Sequence, residues 1–315
     1  MPGTIRKNYD FDVAAITESL RDSMAGWGTD EEQLISTIVG FNNEQRLEIA
    51  QSFKAAYGKE LIEDLKSELK GDFEEICVAM FEHPRMYDAK QIHNAMTGVG
   101  TDETTIIEIM CTRSNDEINE IKEKYKEEVG NELEDDLQGE TSGYFERLLV
   151  SLCAAGRDDK PGVDYEQATE DAQKFYEAGA AVWGTEEAEL NAILCLRSHQ
   201  QLRQTMIHYE NLTGCTMEET IDSECDGSLQ NGYLAIVEST KNMPGYFARR
   251  LKESFEGLGT KDTDLIRIIV SRSEIDLQEI KEAYAARYET ALSDAIASEC
   301  GGDYNRMLLA IVNAE

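Results

Sequence analysis

The sequence has little positive charge for its size. Its 315 residues carry 30 Lys and Arg against 63 Asp and Glu, which gives a formal net charge of −33. A chain with this balance has no excess of basic side chains to neutralise phosphates, so a general nucleic-acid-binding function is excluded. The same deficit excludes plain electrostatic attraction to anionic lipid. The partner that suits this charge is a cation.

Proline, paired cysteines and long apolar runs are also scarce. With 4 Pro and 41% hydrophobic residues, the composition is that of a globular chain rather than a disordered one. No run approaches the 18 apolar residues of a membrane-spanning helix, and the first 20 residues contain no apolar signal-peptide core. The seven cysteines form no Cys-x-x-Cys pair, which predicts reduced thiols and a cytoplasmic protein.

A fourfold internal repeat organises the chain. A Gly-Thr pair is followed, 40 residues after its glycine, by a glutamate, and three residues later by a second glycine. The pattern recurs four times without an insertion, and the Gly-Thr pairs begin at Gly28, Gly100, Gly184 and Gly259. The corresponding glutamates are Glu68, Glu140, Glu224 and Glu299. One such motif would carry no weight, but four copies in one register predict a repeat protein.

Between these anchors the apolar residues recur at spacings of three and four, which is typical of amphipathic helices. The threonine of each Gly-Thr pair is expected to be the N-cap of the next helix, and Thr29 with Glu32 to form a capping box. The sequence therefore predicts an all-α fold of four units of about 70 residues each. The Gly- and Pro-containing linker at 156–162 predicts that these units are arranged two and two about it.

The loop before a Gly-Thr pair suits a hard cation. Two glycines separated by one residue, as in Gly98-Val99-Gly100, let successive backbone carbonyls turn toward one point. Ca²⁺ takes about 6–8 oxygen ligands, and carbonyls with a bidentate carboxylate are typical donors. Three carbonyls and one distant glutamate leave positions open for water or a phosphate oxygen. The pattern predicts a weak, open Ca²⁺ site that can bridge the protein to an anion.

From about Phe11 to its end, the chain resembles an annexin. The resemblance implies four repeats of about five helices each, which form a curved disc with calcium loops on its convex face. The implied organisation is a short N-terminal segment at 1–11, repeats at 12–83, 84–156, 168–243 and 244–315, and a linker at 157–167.

The resemblance also implies the ligands of each calcium site, namely three backbone carbonyls and one glutamate carboxylate. In the first, second and fourth repeats they are Met24, Gly26, Gly28 and Glu68; Met96, Gly98, Gly100 and Glu140; and Phe255, Gly257, Gly259 and Glu299. The third repeat lacks the first loop glycine and resembles a variant loop, with matching residues Gly179, Val182, Gly184 and Glu224. The basic residue that the family usually has before the first loop glycine is replaced by Ala25, Thr97 and Glu256.

The residue before the glycine of each Gly-Thr pair is apolar. These four residues are Trp27, Val99, Trp183 and Leu258. Apolar side chains at the tips of polar loops, together with the interfacial preference of Trp, favour contact with a membrane. The alternative is that they fold back onto the core, since Trp is usually largely buried.

These features predict calcium-dependent, reversible binding to acidic, phosphatidylserine-like phospholipid membranes. The protein would be cytoplasmic, would be recruited to the inner face of membranes when Ca²⁺ rises, and could associate with itself there. The alternative is an α-helical protein-interaction scaffold whose calcium sites are weakened, because their basic neighbours are missing. No Ser/His/Asp or Cys/His arrangement is readable, so no enzyme is expected.

Charged residues of the chain also match a polar central channel in the family. They are Asp88, Glu108, Arg113, Arg267 and Arg272. A buried network of ion pairs that fixes how the repeats pack is the commoner explanation of such residues.

Overall fold

The first repeat shows how the chain is built in the computed structural model, which describes residues 3–25, 28–180, 187–257 and 259–314. Its helices are α1 (Val13–Ser23), α2 (Glu31–Val39), α3 (Asn43–Tyr57), α4 (Leu61–Glu68) and α5 (Gly71–Met80). The second repeat contains α6 (Pro84–Met96), α7 (Glu103–Thr112), α8 (Asn115–Val129), α9 (Leu133–Glu140) and α10 (Gly143–Cys153).

The third and fourth repeats follow the same order. The third contains α11 (Tyr165–Ala180), α12 (Glu187–Asn191), a π-helical turn (Ala192–Leu196), α13 (His199–Thr213), α14 (Met217–Glu224) and α15 (Gly227–Lys241). The fourth contains α16 (Met243–Ser254), α17 (Asp262–Arg272), α18 (Leu277–Tyr288), α19 (Leu292–Glu299) and α20 (Gly302–Val312). The prediction of an all-α fold with five helices per repeat is confirmed, and the described residues contain no strand.

The connection between the fourth and fifth helices explains the Glu-x-x-Gly spacing of the sequence. Each fourth helix ends at the motif glutamate, and each fifth helix begins at the motif glycine. These glycines have left-handed φ values of 63°, 67°, 59° and 64°, and they are Gly71, Gly143, Gly227 and Gly302. Glycine adopts this conformation without steric cost. The carbonyl that accepts the bond from each C-cap belongs to a fully buried residue: Leu65, Leu137, Ile221 or Ile296.

Helix packing groups the repeats into two compact units. Unit 1 comprises Met1–Tyr87 with Phe247–Glu315, and unit 2 is Asp88–Tyr246. In unit 1, α5 of the first repeat packs on α17 and α20 of the fourth, and in unit 2, α7 and α10 of the second repeat pack on α15 of the third. The expected division about the linker is therefore wrong, since 156–162 lies inside unit 2. The linker joins two repeats that pack on each other within unit 2. Its Asp158 N–H donates a hydrogen bond of 2.8 Å to Leu196 O of the third repeat.

The N-terminal segment is held by both repeats of unit 1. Thr4 Oγ1 donates to Ile311 O at 2.7 Å, and Ile5 N–H donates to Ser273 O at 3.0 Å in the fourth repeat. In the first repeat, Asn8 and Gln45 exchange two hydrogen bonds of 2.9 and 2.7 Å. The segment therefore links the first and fourth repeats through one bond between backbone groups and three bonds that involve the side chains of Thr4 and Gln45.

All seven cysteines are free, and four of them are buried. Burial raises the pKa of Cys195 to about 12 and that of Cys153 to about 11. Such thiols are protonated at neutral pH and behave as small apolar core residues, in agreement with the prediction of reduced cysteines.

An arginine near the end of the second helix is paired with an aspartate of the first helix in both repeats of unit 2. The guanidinium of Arg113 donates to both carboxylate oxygens of Asp88 at 2.9 and 2.8 Å, and both side chains are 1% exposed. Arg197 makes the same contacts with Asp171 at 2.6 and 2.9 Å, with the arginine side chain 30% exposed. These pairs fix the packing of two helices inside each repeat.

The arrangement differs in unit 1. Arg272 of the fourth repeat bonds to Asp276 at 2.7 Å and lies 4.6 Å from the ring centre of Phe247, which occupies the position of Asp88 in the repeat register. In the first repeat the arginine position is taken by Phe41. There Arg46 of α3 donates to the carbonyls of Phe41 and Met80 and pairs with Glu274 of the fourth repeat at 2.8 Å.

The residues matched to a central channel are all buried. Arg113 pairs with Asp88, Arg267 with Asp264 at 2.8 Å, and Arg272 with Asp276. Glu108 is fully buried, and its backbone carbonyl accepts a bond from Thr112 Oγ1. These contacts agree with the structural ion-pair explanation, and a channel stays a hypothesis.

Replacing Asp88 by Ala should destabilise the fold by about 3–5 kcal/mol, because the Arg113 guanidinium would stay buried without its partner. Asp171→Ala is the matched control: water can reach the partly exposed Arg197, so its cost should be smaller. Urea unfolding followed by circular dichroism measures both variants. An equal loss in the two would contradict the role of the buried pair.

Candidate functional site

The Gly-Thr loops of the first, second and fourth repeats are closed by the same hydrogen bond. The backbone N–H after the threonine donates to a carbonyl seven residues earlier. The pairs are Asp30 to Ser23 at 2.7 Å, Asp102 to Ala95 at 2.8 Å and Lys261 to Ser254 at 2.8 Å. One backbone bond thus spans each of these loops, and in the second repeat, whose loop is described throughout, residues 96–101 form a short turn between two helices.

Left-handed glycines shape these turns. Gly98 and Gly100 have φ values of 116° and 86°, and Gly257 and Gly259 have 120° and 88°. A Cβ at any of the four would meet nothing within 4 Å, so glycine is needed here for its backbone angle and not for space. No described residue donates a hydrogen bond to their carbonyls. The turns therefore present backbone oxygens that have no partner within the described chain.

The motif glutamates lie at the ends of the fourth helices. All four carboxylates are exposed, and none pairs with a described lysine or arginine. In the second repeat, Thr101 Oγ1 contacts Glu140 O at 3.5 Å, which connects the Gly-Thr turn to the end of α9. This contact places the loop carbonyls and the glutamate of one repeat in the same neighbourhood.

The donor set fits a hard cation that takes most of its ligands from the backbone. The described ranges contain no group of three or more His, Cys, Asp or Glu side chains that could hold a metal ion. A site of three carbonyls with one bidentate carboxylate is of a different kind and agrees with this absence. The residues present fit Ca²⁺ and not a soft metal, which would need thiolate or imidazole ligands.

The expected site residues are only partly described. Met24, Gly28 and Glu68, and the complete sets of the second and fourth repeats, lie in described residues, as do Gly179 in α11 and Glu224 at the end of α14. Gly26, Trp27, Val182, Trp183, Gly184 and Leu258 lie outside the described residues. Of the four apolar tip residues, Val99 is described, and its side chain is fully exposed at 110%. The alternative that the tip residues fold back onto the core is therefore wrong for Val99.

The helices after the turns of the first and second repeats are capped by an aspartate and not by the expected threonine. Thr29 is not the N-cap of α2, because this helix begins at Glu31 and Asp30 precedes it; the capping box with Glu32 is also wrong. The Asp30 carboxylate accepts from Gln33 N–H at 3.0 Å, and Asp102 accepts from Thr105 N–H at 3.2 Å. An aspartate both caps the helix and interacts with its positive end, and its place directly after Gly-Thr was the available signal.

A family model described as Annexin matches residues 16–80, 87–152, 170–236 and 246–311. These four segments cover most of the chain, and each contains one Gly-Thr pair with its glutamate. The chain belongs to the annexin family. Membership supports Ca²⁺-dependent phospholipid binding in general, and Ca²⁺ is the ion that goes with this family.

Individual annexins agree with this assignment. Annexin A7 of Homo sapiens is 45% identical over 310 residues, which are 98% of this chain and 64% of that protein, so the chain spans about two thirds of its length. The structure of annexin III has a TM-score of 0.97 at 40% identity and covers 99% of this chain and 97% of its own. Calcium-bound annexin (Sm)1 has a TM-score of 0.89 at 33% identity, with 98% and 92% covered. The annexin fold is thus confirmed.

Among the helices described above, none has the length and apolar character needed to cross a bilayer.

Glu140→Gln tests the carboxylate of the best-described site. A neutral amide lacks the charge and the bidentate geometry, so the Ca²⁺ affinity of that site should fall on the order of tenfold, or about 1.4 kcal/mol. Equilibrium dialysis with Ca²⁺ and vesicles measures how many ions are bound at a fixed Ca²⁺ concentration. The control is Asp135→Asn on the exposed face of the same helix. Equal ion counts for the two variants would contradict the assignment of Glu140.

Proposed function

We propose that this annexin binds acidic phospholipid membranes reversibly through Ca²⁺ bridges at the Gly-Thr loops of its repeats. The observation that carries the proposal is the set of unpartnered carbonyls at Gly98 and Gly100 near the exposed Glu140. Together with Met96 O, these groups supply fewer oxygens than the 6–8 that Ca²⁺ takes. Phosphate oxygens of a lipid head group would complete the shell, so the ion would bind tightly only at a membrane.

The calcium-bound state of annexin (Sm)1 supports Ca²⁺ as the ion in this chain. The residues that would hold it in the fourth repeat are Phe255, Gly257, Gly259 and Glu299. In the first repeat they are Met24, Gly26, Gly28 and Glu68, and in the third Gly179, Val182, Gly184 and Glu224. When bound, the ion supplies positive charge and open coordination positions, while the protein supplies the turn that orients the oxygens.

Local bridging, and not neutralisation of the whole protein, explains attachment. Four Ca²⁺ ions change the formal charge from −33 to −33 + 8 = −25, so the chain remains strongly acidic. Charges farther apart than about 8 Å are largely screened at physiological salt, so an inner-sphere contact at the loop can outweigh distant repulsion. Several weak sites engaging one membrane raise the overall affinity through effective concentration.

The apolar tip residues would add a second contact. Val99 is exposed beside the second site, where its side chain could enter the head-group region once the ion is bridged. Trp27, Trp183 and Leu258 hold the same sequence position in the other repeats, and Trp favours the membrane interface.

The membrane expected for this mechanism is the inner face of a cell membrane, which carries phosphatidylserine and a negative surface potential. The protein would stay in the cytoplasm at low Ca²⁺ and attach when Ca²⁺ rises, as a binding protein and not as an enzyme. The alternative function, a protein-interaction scaffold with weakened calcium sites, predicts no Ca²⁺-dependent attachment.

Vesicle pelleting across an NaCl series tests this mechanism. At saturating Ca²⁺, binding to phosphatidylserine vesicles should tolerate moderate NaCl, because the contact is inner-sphere; a polybasic peptide, the control, should dissociate as salt rises. In chelator the acidic chain should not bind, least of all at low salt, where the repulsion reaches farther.

Two results would contradict the proposal. Robust low-salt binding in chelator would require a basic surface instead of a calcium bridge. No pelleting at saturating Ca²⁺ would favour the scaffold.

A further inference from the structure

Three basic side chains come together in unit 2, where the linker meets α13. They are Arg157 of the linker and His199 and Arg203 of α13, and they are called the basic cluster below. His199 Nδ1 lies 3.0 Å from Thr240 Oγ1, and Arg203 Nη1 donates to Thr240 O at 2.7 Å. Arg157 Nη1 donates to Arg197 O at 2.7 Å, two residues before His199. These contacts place all three side chains near the end of α15.

The basic cluster has no acidic partner within the described chain. Neither arginine makes an ion pair with a described carboxylate, although the chain has 63 acidic residues. Burial lowers the pKa of Arg157, and the groups that partly oppose this effect are the thiols of Cys195 and Cys111. Burial and then the charges of Arg157 and Arg203 lower the pKa of His199 to about 4. A partly buried guanidinium without a counter-ion costs free energy, and a bound anion would recover it.

Each member of the cluster keeps a nitrogen that can donate to a ligand. Nε and Nη2 of Arg157 make no hydrogen bond within the described chain, and neither is among its buried atoms without a partner, so solvent reaches both. The same holds for Nε2 of His199. When the Thr240 hydroxyl donates to Nδ1, the neutral ring carries its hydrogen on Nε2. Arg203 is exposed and uses Nη1 alone for Thr240, which leaves Nε and Nη2 available.

The arrangement of these donors selects the kind of anion. His199 and Arg203 are four residues apart on one face of α13, and Arg157 reaches the same place from the linker. A planar carboxylate is matched by the two parallel N–H groups of a single guanidinium. A tetrahedral phosphate has oxygens in several directions and can accept from all three side chains. His199 is also the first residue of α13, and the positive end of a helix favours an anion.

The cluster lies away from the proposed calcium site of the third repeat. Glu224 of that site precedes α15, which begins at Gly227, whereas Thr240 is near the other end of this helix. The helix rises roughly 20 Å between Gly227 and Thr240. A ligand of the basic cluster therefore does not occupy coordination positions of the proposed ion.

We propose that Arg157, His199 and Arg203 form a binding site for a soluble phosphate group. The site needs neither Ca²⁺ nor a membrane, so it goes beyond the proposed function and does not depend on it. It is particular to the third repeat. In the fourth repeat Lys281 stands where Arg203 does, five residues after the N-cap, and donates to Val312 O at 2.6 Å, but Leu277 replaces the histidine.

Inorganic phosphate is the probe, added in chelator so that no calcium phosphate forms, with chloride of equal ionic strength as the reference. The chain has 4 histidines, and comparison with His199→Gln assigns the NMR signals of His199. Phosphate should shift these signals saturably and raise the pKa of His199 toward its ordinary value, because an anion stabilises the imidazolium. Arg157 and Arg203 stay charged in this titration, and the buried thiols of Cys111 and Cys195 stay protonated.

Variants measured by isothermal titration calorimetry identify the donors. Arg157→Gln and the exposed Arg203→Gln should each weaken phosphate binding about tenfold, because each removes a charge-assisted hydrogen bond. Lys281→Gln is the matched control: it removes the same charge and the same kind of contact with a helix-end carbonyl in unit 1, and should keep the native affinity. Circular dichroism checks that all three variants are folded.

Several results would overturn this site. They are a native chain whose His199 signals do not respond to phosphate through the millimolar range, phosphate affinities that both arginine variants leave unchanged, and acetate binding as tight as phosphate binding. A lipid is the other source of phosphate. Phosphatidic acid vesicles in chelator should not pellet the acidic chain, and pelleting that Arg157→Gln abolishes would overturn the soluble ligand in favour of a lipid.

Discussion

Left-handed glycines determine where the backbone carbonyls and carboxylates of the proposed calcium sites lie. The glycine that begins each fifth helix turns the chain sharply after the motif glutamate, and a buried residue such as Leu137 anchors the preceding helix end. The carboxylate of Glu140 is thereby left exposed at a fixed place. The glycines of the Gly-Thr turn, Gly98 and Gly100, perform the same task for the carbonyls. Replacing either kind of glycine would strain the backbone, because residues with a Cβ rarely adopt a positive φ. The space around these glycines is open, so no steric clash would add to this strain.

The repeats share this frame but not their internal ion pairs. Unit 2 retains the bidentate pairs of Arg113 and Arg197, whereas in unit 1 an aromatic ring has entered the pair: Phe247 replaces the aspartate and Phe41 the arginine. Arg46 compensates in the first repeat by binding carbonyls of its own repeat and Glu274 of the fourth. In the second and third repeats the ion pair joins two helices of one repeat, whereas the Arg46–Glu274 ion pair joins the first repeat to the fourth.

These differences between repeats show which features of the fold could be predicted from the sequence. The fourfold register and the all-α fold follow from the sequence, because repeated motifs and helical spacing leave a local pattern. The turn after Glu140 is explained only by the structure, where Gly143 is left-handed. The N-cap at Asp30 differs by one residue, since only the structure shows where the helix begins. The packing of the first repeat on the fourth and the ion pair of Arg46 with Glu274 depend on residues far apart in the chain, and no local pattern records them.

The negative net charge of the chain is related to the proposed calcium sites through the carboxylates that have no basic partner. An acidic chain can satisfy only some of its carboxylates with its 30 basic residues, and the pairs found are concentrated away from the motif glutamates. A lysine beside Glu68 or Glu299 would occupy the groups that the proposed ion needs and would lower the affinity of the site. The small number of basic side chains and the absence of a basic residue before the loop glycines therefore have the same effect on the proposed sites. Both leave the bridging contact to the cation itself, so that attachment depends on Ca²⁺ and not on the protein's own charge.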